Sequence, residues 1–372
     1  MSKHGWTYKR IEEVCELFDS QRKPVTKHLR THGTIPYYGA NGIQDYVADY
    51  IFDGRYLLIG EDGARWGANE KTSFIIDGKS WVNNHAHILK TAPILNDLFL
   101  MHYLNYKDLS SYITGTIVPK LTQASLKKIS VPVPSKNEQE AIVAELDEIN
   151  ETIELLKQQV VDLDALEQSI FYTMFGDPVT NEKGWEVDKL NAICDVRDGT
   201  HDSPSYIEMG FPLITSKNVI NGAIDFDNVN YISKEDFDNI SKRSRVDIGD
   251  IIMPMIGTIG RPAIVKTDKK IAIKNVALIK FVQNSSILNI FLISILSSPP
   301  FDAFMKKNNK GGTQKFIALG DIRKLPIILP PLALQQEFAA KVEAIESAKA
   351  ELNAQIAEMQ TLLASRMDYY FG

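Results

Sequence analysis

The 372-residue chain repeats itself, and a repeat of this length constrains the architecture before any local propensity does. Gly5-Trp6 recurs as Gly184-Trp185 and Cys15 as Cys194, both at an offset of 179, with Ile11 and Val14 answering Leu190 and Ile193. Further on the offset is 196. There Val131-Pro132-Val133-Pro134 falls on Ile327-Ile328-Leu329-Pro330, Gln139 on Gln335 and Phe175-Gly176 on Phe371-Gly372. The second copy therefore carries 17 extra residues inside the unit. Ends that match around middles that diverge describe a fixed scaffold holding two variable inserts.

The matched parts include a helical seam. Ile149, Ile153, Leu156, Val160 and Leu163 are spaced as the a and d positions of a heptad repeat. Ile345, Lys349, Leu352, Ile356 and Met359 keep the same register in the second copy, with Lys349 a polar break able to set pairing. Ser135-Lys136-Asn137-Glu138 fits a capping box; the second copy has Pro330-Pro331 there, which also suits a helix start. Each helix is expected to run for about 35 residues, roughly 50 Å. Neither seam can be buried alone. Each helix either caps its own domain or pairs with the other, and a covalent tandem repeat makes an antiparallel pair natural. Such a pair would hold two globular domains a fixed distance apart.

The expected organisation is a globular domain over 1–136, a central helix over 137–176, a second globular domain over 177–331 and a C-terminal helix over 332–372. Tyr56-Leu57-Leu58-Ile59-Gly60 and Ser73-Phe74-Ile75-Ile76-Asp77 read as strands, and Leu98 to Leu104 as a short helix. Asp250-Ile251-Ile252-Met253 and Ala277-Leu278-Ile279-Lys280-Phe281 read as their counterparts, with a helix at Ile290 to Leu296. The fold class is α+β: two loop-rich globular domains joined by two long antiparallel coiled-coil helices in a tandem, pseudo-twofold repeat.

The net charge of −6 argues at first against a polyanionic partner, but it is unevenly placed. Residues 1–136 hold 17 Lys+Arg against 13 Asp+Glu, and residues 175–331 hold 20 against 18. The acidity sits in 137–174, with 1 against 10, and in 332–372, with 3 against 6. The mildly basic globular segments permit DNA binding without proving it. No apolar run is long enough to span a membrane, the start lacks the apolar stretch of a signal peptide, and two cysteines make neither a disulfide framework nor a zinc site. A soluble, cytoplasmic protein is expected.

The loops carry residues able to hydrogen-bond to bases or stack on them. In the first domain these are Tyr37, Tyr38, Asn41, Arg65, Trp66, Asn83 and Asn84. In the second they are Thr200, His201, Ser216, Lys217, Asn218, Arg243, Arg245, Arg261 and Lys315. Asn suits adenine edges, and Arg suits guanine or phosphate. Several other patterns carry no chemistry. Ser298-Pro299-Pro300-Phe301 resembles the Ser-Pro-Pro-aromatic motif of amino-methyltransferases acting on DNA bases, but a helix precedes it and no Phe-x-Gly-x-Gly cofactor loop exists, so it reads as a helix-ending turn. Gly257-Thr258-Ile259-Gly260 lacks the remainder of a phosphate loop. His85-Ala86-His87 offers two imidazoles without a third ligand, so no metal is expected. Cys15 and Cys194 occupy equivalent core positions, and no catalytic constellation stands out. A self-contained methyltransferase and a coiled-coil adaptor that never touches DNA are the competing readings.

A Gly-Trp opening, a variable domain, a Pro-rich segment with Gln (Val131–Gln139; Ile327–Gln335) and a heptad helix ending in Phe-Gly, all present twice, resemble the specificity subunit of Type I restriction-modification systems. The likeness spans essentially the whole chain. Pro36-Tyr37-Tyr38-Gly39-Ala40-Asn41-Gly42 with Gly60-Glu61-Asp62-Gly63-Ala64 resembles target-recognition domains of that family, as does Arg197-Asp198-Gly199-Thr200-His201-Asp202 with Ile214-Thr215-Ser216-Lys217-Asn218. The resemblance implies that each domain reads one half of a split site in double-stranded DNA. It implies helices that act as a ruler and as a dock for two modification (methyltransferase) subunits. Those partners would carry the adenine methylation and its S-adenosylmethionine, and a restriction subunit with ATP-driven translocation belongs to the same systems. No catalysis, cofactor or metal is expected in this chain.

Overall fold

Tyr-Leu-Leu-Ile at 56–59 shows no polar alternation because it forms a strand buried on both faces. Successive side chains of a strand point to opposite sides of the sheet. Leu57 and Ile59 enter one core with Ile11, Leu89, Phe99 and Leu126, while Leu58 enters another with Phe52, Val82 and Ile88. Ile251 and Met253 against Ile252 repeat that division in the second copy. The computed structural model describes residues 5–201, 203–255, 262–282, 285–307 and 317–372. It divides into two units, one of Met1–Lys157 with Ala354–Gly372 and one of Gln158–Asn353.

In the first unit a four-stranded antiparallel sheet has the order Cys15–Leu17, Ala86–Thr91, Tyr56–Gly60, Ser73–Ile76. A second sheet has the order Gly42–Val47, His32–Gly39, Lys79–Val82, Phe52–Asp53, with Tyr38 beside Val82 in its parallel pair. Thr7–Arg10 pairs antiparallel with Ser130–Val133 and so ties the start of the chain to the strand that feeds the long helix. The second unit repeats the scheme with Asp195–Asp198, Val276–Lys280, Ile251–Pro254 and Ala263–Ile264 in one sheet. Its other sheet sets Phe211–Ile214 parallel to Ala272–Ile273, and Glu186–Lys189 pairs with Pro326–Leu329. Ile214 thus answers Tyr38 at an offset of 176, and Ile251 answers Leu57 at 194. The largest insertion of the second copy, 18 residues, therefore falls between these strands, where the helix Lys234–Ser244 stands.

Two long helices, Lys136–Phe175 and Leu332–Phe371, each run for 40 residues, longer than the seam alone implies. The capping box is formed: the Glu138 carboxylate accepts from the Ser135 amide at 2.9 Å and the Ser135 hydroxyl accepts from the Glu138 amide at 3.4 Å. Gly176, at φ +76°, stops the first helix, its amide donating to Tyr172 O at 2.9 Å. The heptad spacing appears as burial. Ile149, Ile153 and Ile345 are buried, and Leu156, Val160, Leu163, Leu352, Ile356 and Met359 are half-buried. In the first unit the Arg366 guanidinium and the Tyr370 hydroxyl both donate to Glu145, at 2.8 and 2.5 Å. In the second unit Lys349 meets Asp164 at 2.7 Å, and the Phe338 ring packs on Phe171 and Phe175. In each unit an early part of one helix meets a late part of the other, so the segments run antiparallel. The choice between capping and pairing dissolves, because each helix end does both.

The Pro-rich segment is a lock. Gln139 and Gln335 are both fully buried. Gln139 donates to Ile94 O at 3.0 Å and Pro134 O at 2.9 Å, and accepts from the Asn96 amide at 2.7 Å. Gln335 donates to Ser286 O and Pro330 O, both at 2.9 Å, and accepts from the Leu288 amide at 2.9 Å. A primary amide has two donors and an acceptor, so one side chain satisfies three main-chain groups that would otherwise be buried unpaired.

Candidate nucleic-acid interface

Four loops of the first domain meet at one rim, where Tyr56–Gly60 ends and Ala86–Thr91 begins. The turn after His32–Gly39 is held there by Asn41, whose amide donates to Gly63 O at 2.9 Å. The 83–85 loop joins through His85, hydrogen-bonded to Asp62, and through Asn83, which donates to Gln44 at 3.1 Å. The 114–120 loop joins through a backbone bridge from Lys120 to Asp62. Asn41, Arg65 and Asn84 are exposed on these loops.

A buried charge cluster lies at this rim. His87 is fully buried, with Nδ1 2.6 Å from Asp19 Oδ2 and Nε2 2.7 Å from Leu121 O. Both ring nitrogens therefore face oxygen atoms, and the ring is held between them. Arg22 bonds Glu61 and donates to Ala86 O at 2.8 Å, while Lys120 reaches Glu61 at 2.7 Å. Burial pushes the Asp19 carboxyl up, but the His87 hydrogen bond and charge, the Ile88 amide and Arg22 outweigh it and hold Asp19 below its ordinary value. Burial likewise raises Glu61, and its bonds to Lys120 and Arg22 more than reverse that. Asp19, Glu61 and His87 place ligand atoms within 4.8 Å of one another, the geometry of a metal site. Their two carboxylates are already matched by Arg22 and Lys120, which a dication would have to displace. The cluster acts instead as a clamp on the loops. His85 and His87 do not converge, since each bonds a different carboxylate.

The second domain builds a rim from the corresponding loops. Asp198, buried, holds His201 at 3.0 Å and also bonds Arg243. The other ring nitrogen of His201 lies 3.0 Å from Asn275 Oδ1, and Asn275 sits in the left-handed region at φ +54°. The Ser216 hydroxyl donates to Asn275 O at 3.3 Å, so the 199–201, 215–218 and 274–275 loops converge. Gly199 is required at this crossing because a Cβ there would stand 2.5 Å from Ile273 O. His201, Lys217, Arg243 and Arg245 are exposed, and Thr200 and Ser216 are half-buried. Arg245 pairs with Asp247 at 3.0 Å, beside the buried Asp250.

Other expected readers lie inside the fold. Tyr37 is buried, its hydroxyl accepting from the Val25 amide at 3.0 Å, with Arg30 4.1 Å from its ring centre. Trp66 is buried and donates its indole N–H to Gly60 O at 3.0 Å. Asn83 and Asn218 are buried and shape their loops, Asn218 closing a capping box with Thr215. Tyr38 is half-buried against Phe74. For the four buried ones a direct base contact gives way to a structural role, because aromatic and amide side chains next to Gly serve turns as readily as ligands. Arg261, Lys315 and Gly257-Thr258-Ile259-Gly260 fall outside the described residues. Asp19, Arg22, Glu61, His87 and Lys120 were not anticipated as a group; they come from four separate segments, and only folding brings them together.

Ser298-Pro299-Pro300-Phe301 does more than end a helix. It joins Asn289–Leu296 to a further helix, Pro299–Lys307. Ser298 is buried and its hydroxyl donates to Ile295 O at 2.8 Å, and Phe301 is core. Cys15 and Cys194 are buried in separate cores, and burial pushes both thiols up to about 12. No helix among the described residues is long and apolar enough to cross a membrane.

Comparison with known proteins agrees with this architecture. The family description "Type I restriction modification DNA specificity domain" matches twice, over residues 3–164 and 182–359. A putative type I restriction enzyme specificity subunit of Haemophilus influenzae is 28% identical over 351 residues, covering 91% of this chain and 87% of that protein. The crystal structure of a Type I restriction-modification system S subunit from M. genitalium has the same fold, at 14% identity and a TM-score of 0.60 over 98% of this chain and 95% of that one. So does a chain from a structural study of complex assembly in the type I R-M system, at 17% identity and a TM-score of 0.57 over 99% and 97%. The chain belongs to the Type I restriction-modification DNA specificity family, and its function is DNA sequence recognition.

Proposed function

We propose that this chain is the recognition subunit of a Type I restriction-modification complex, with each globular domain reading one half of a bipartite DNA site. The observation that carries this reading is the duplicated rim. The same strand ends present converging loops in both units, but with different chemistry: Asn41, Arg65 and Asn84 in one, His201, Lys217 and Arg243 in the other. Two unlike rims read two unlike half-sites. Phosphate contacts position such a protein, and contacts to base edges specify the sequence.

The long helices serve as the spacer and as the dock for two modification (methyltransferase) subunits. Their outward faces leave Leu155, Val161, Leu166 and Leu362 between 42% and 65% exposed, apolar surface that a partner would cover. The likeness to a chain solved in a study of type I complex assembly supports this role. The partners supply adenine methylation and its S-adenosylmethionine, and a restriction subunit joins the same complex. This chain recognises and does not catalyse, and it works in the cytoplasm beside the DNA. Mapping methylated adenines after mixing a modification subunit with and without this chain tests the reading. Methylation confined to one bipartite site, and only when the chain is present, is expected; an unchanged methylation pattern sinks it.

A further inference from the structure

Among the described residues the most exposed large apolar side chain is Ile117, 94% exposed at the tip of the 114–120 loop, with Val118 beside it at 62%. Apolar surface in open water is unfavourable, and a pliable loop would fold such a tip back onto the protein. This loop cannot. Thr114 and Lys120 exchange both backbone hydrogen bonds, at 2.9 and 2.8 Å. Gly115 turns the chain at φ +90°, and a Cβ there would stand 2.5 Å from Val118 O. The base of the loop is fixed through the Lys120–Glu61 ion pair at 2.7 Å and the Leu121 amide on Glu61 O at 2.8 Å. The buried charge cluster therefore clamps this loop in place, aliphatic tip outward, on the rim that carries Asn41, Arg65 and Asn84.

The sequence of the second copy keeps the glycine and changes the residues after it. At the offset of 196, Gly115 answers Gly311, while Ile117 answers Thr313 and Val118 answers Gln314. The apolar tip is thus a property of the first domain and not of the scaffold.

We propose that Ile117 and Val118 form a wedge that enters DNA at one base step of the half-site read by the first domain. This rests on the recognition reading above. The stacked faces of the bases are the broad apolar surface a duplex can offer a branched aliphatic side chain, and reaching them means opening a step. The cost of opening depends on the step, so a rigid wedge adds specificity through deformability where polar side chains read edges.

The test uses the full chain assembled with its modification subunits. The variant is Ile117→Thr with Val118→Gln, the residues the second copy carries. Ile117→Leu, which keeps the apolar bulk, is the control for folding. Methylation sites are mapped, and 2-aminopurine is scanned through the first half-site away from the methylated adenine. With the unaltered chain, fluorescence should rise at one step. The double variant should lose that rise, relax preference at that step and bind on the order of tenfold more weakly, with the second half-site unchanged. Ile117→Leu should keep all three properties. An unaltered first half-site and affinity in the double variant would overturn the wedge, as would a sequence-specific complex with no unstacked step. If the unaltered chain confers no sequence-specific methylation, the recognition reading itself fails, which is a distinguishable result.

Discussion

At the scale of single residues, positions that match between the two copies hold the scaffold together. Gln139 and Gln335 each satisfy three buried main-chain groups with one amide. Gln139→Leu keeps the volume and abandons those groups, so we expect a loss of about 2–4 kcal/mol, read as a lower urea midpoint with unchanged m-value. Gln335→Leu should cost a similar amount; a neutral result at both would show that water replaces the amide. The charge cluster makes a pH prediction. Asp19 and Glu61 have folded-state values below their ordinary ones. Groups of that kind contribute stability that is fully present above the unfolded value, about 4, and that is lost as pH falls through the depressed folded values. Stability should therefore decline with acid below about pH 5. Lys120→Met should flatten that decline, because Glu61 loses its closest exposed cation. An identical slope in the two proteins would contradict the account.

At the scale of elements, the sequence is most legible where a period is enforced by burial. The heptad seam is visible because a helix can hide only one stripe against a partner, and the doubly buried strands are visible as unbroken apolar runs. The rims are harder to read. Tyr37, Trp66 and Asn83 have the chemistry of base readers, yet they face inward to build the turns, and nothing in local sequence separates the two uses. The cluster of Asp19, Glu61 and His87 is illegible for a different reason: its members are brought together by strand order, not by spacing. Lys349 shows both limits. Its place in the seam is plain from the heptad, but its partners are not. It pairs with Asp164 at 2.7 Å and Glu346 at 2.6 Å, close to Glu167, whose carboxyl burial pushes up. Removing the cation alone leaves Glu167 beside Asp164 and Glu346 with its main compensating charge gone. Lys349→Leu should thus destabilise by about 1–2 kcal/mol, and adding Glu167→Leu should recover most of that loss. If the second substitution worsens the first, the polar break is not what holds Glu167 in place.

At the scale of the whole molecule, the question is whether the readers are separable from the scaffold. The specific hydrogen bonds of the joint between them run largely to backbone. Gln139 bonds the carbonyls of Ile94 and Pro134 and the amide of Asn96, and Thr7–Arg10 pairs with Ser130–Val133 by main-chain bonds. Any domain presenting the same backbone loop can take that lock, whatever its rim carries. Side chains contribute as well: Phe371 packs its ring edge-on against Phe99 and Tyr103 and tilted against Tyr106, beside the His102–Asp147 contact at 2.7 Å. A transplanted domain must supply a comparable aromatic socket for the end of the second long helix. Replacing residues 1–136 with another recognition domain of the family that has such a socket should change one half of the methylated site and leave the other half as it was. A donor without the socket should show the same new half-site but unfold at lower temperature, because the ring cluster is worth stability and not readout. A change in both halves from a well-folded chimera would mean that the two rims are read together, and the modular account of the repeat would have to be given up.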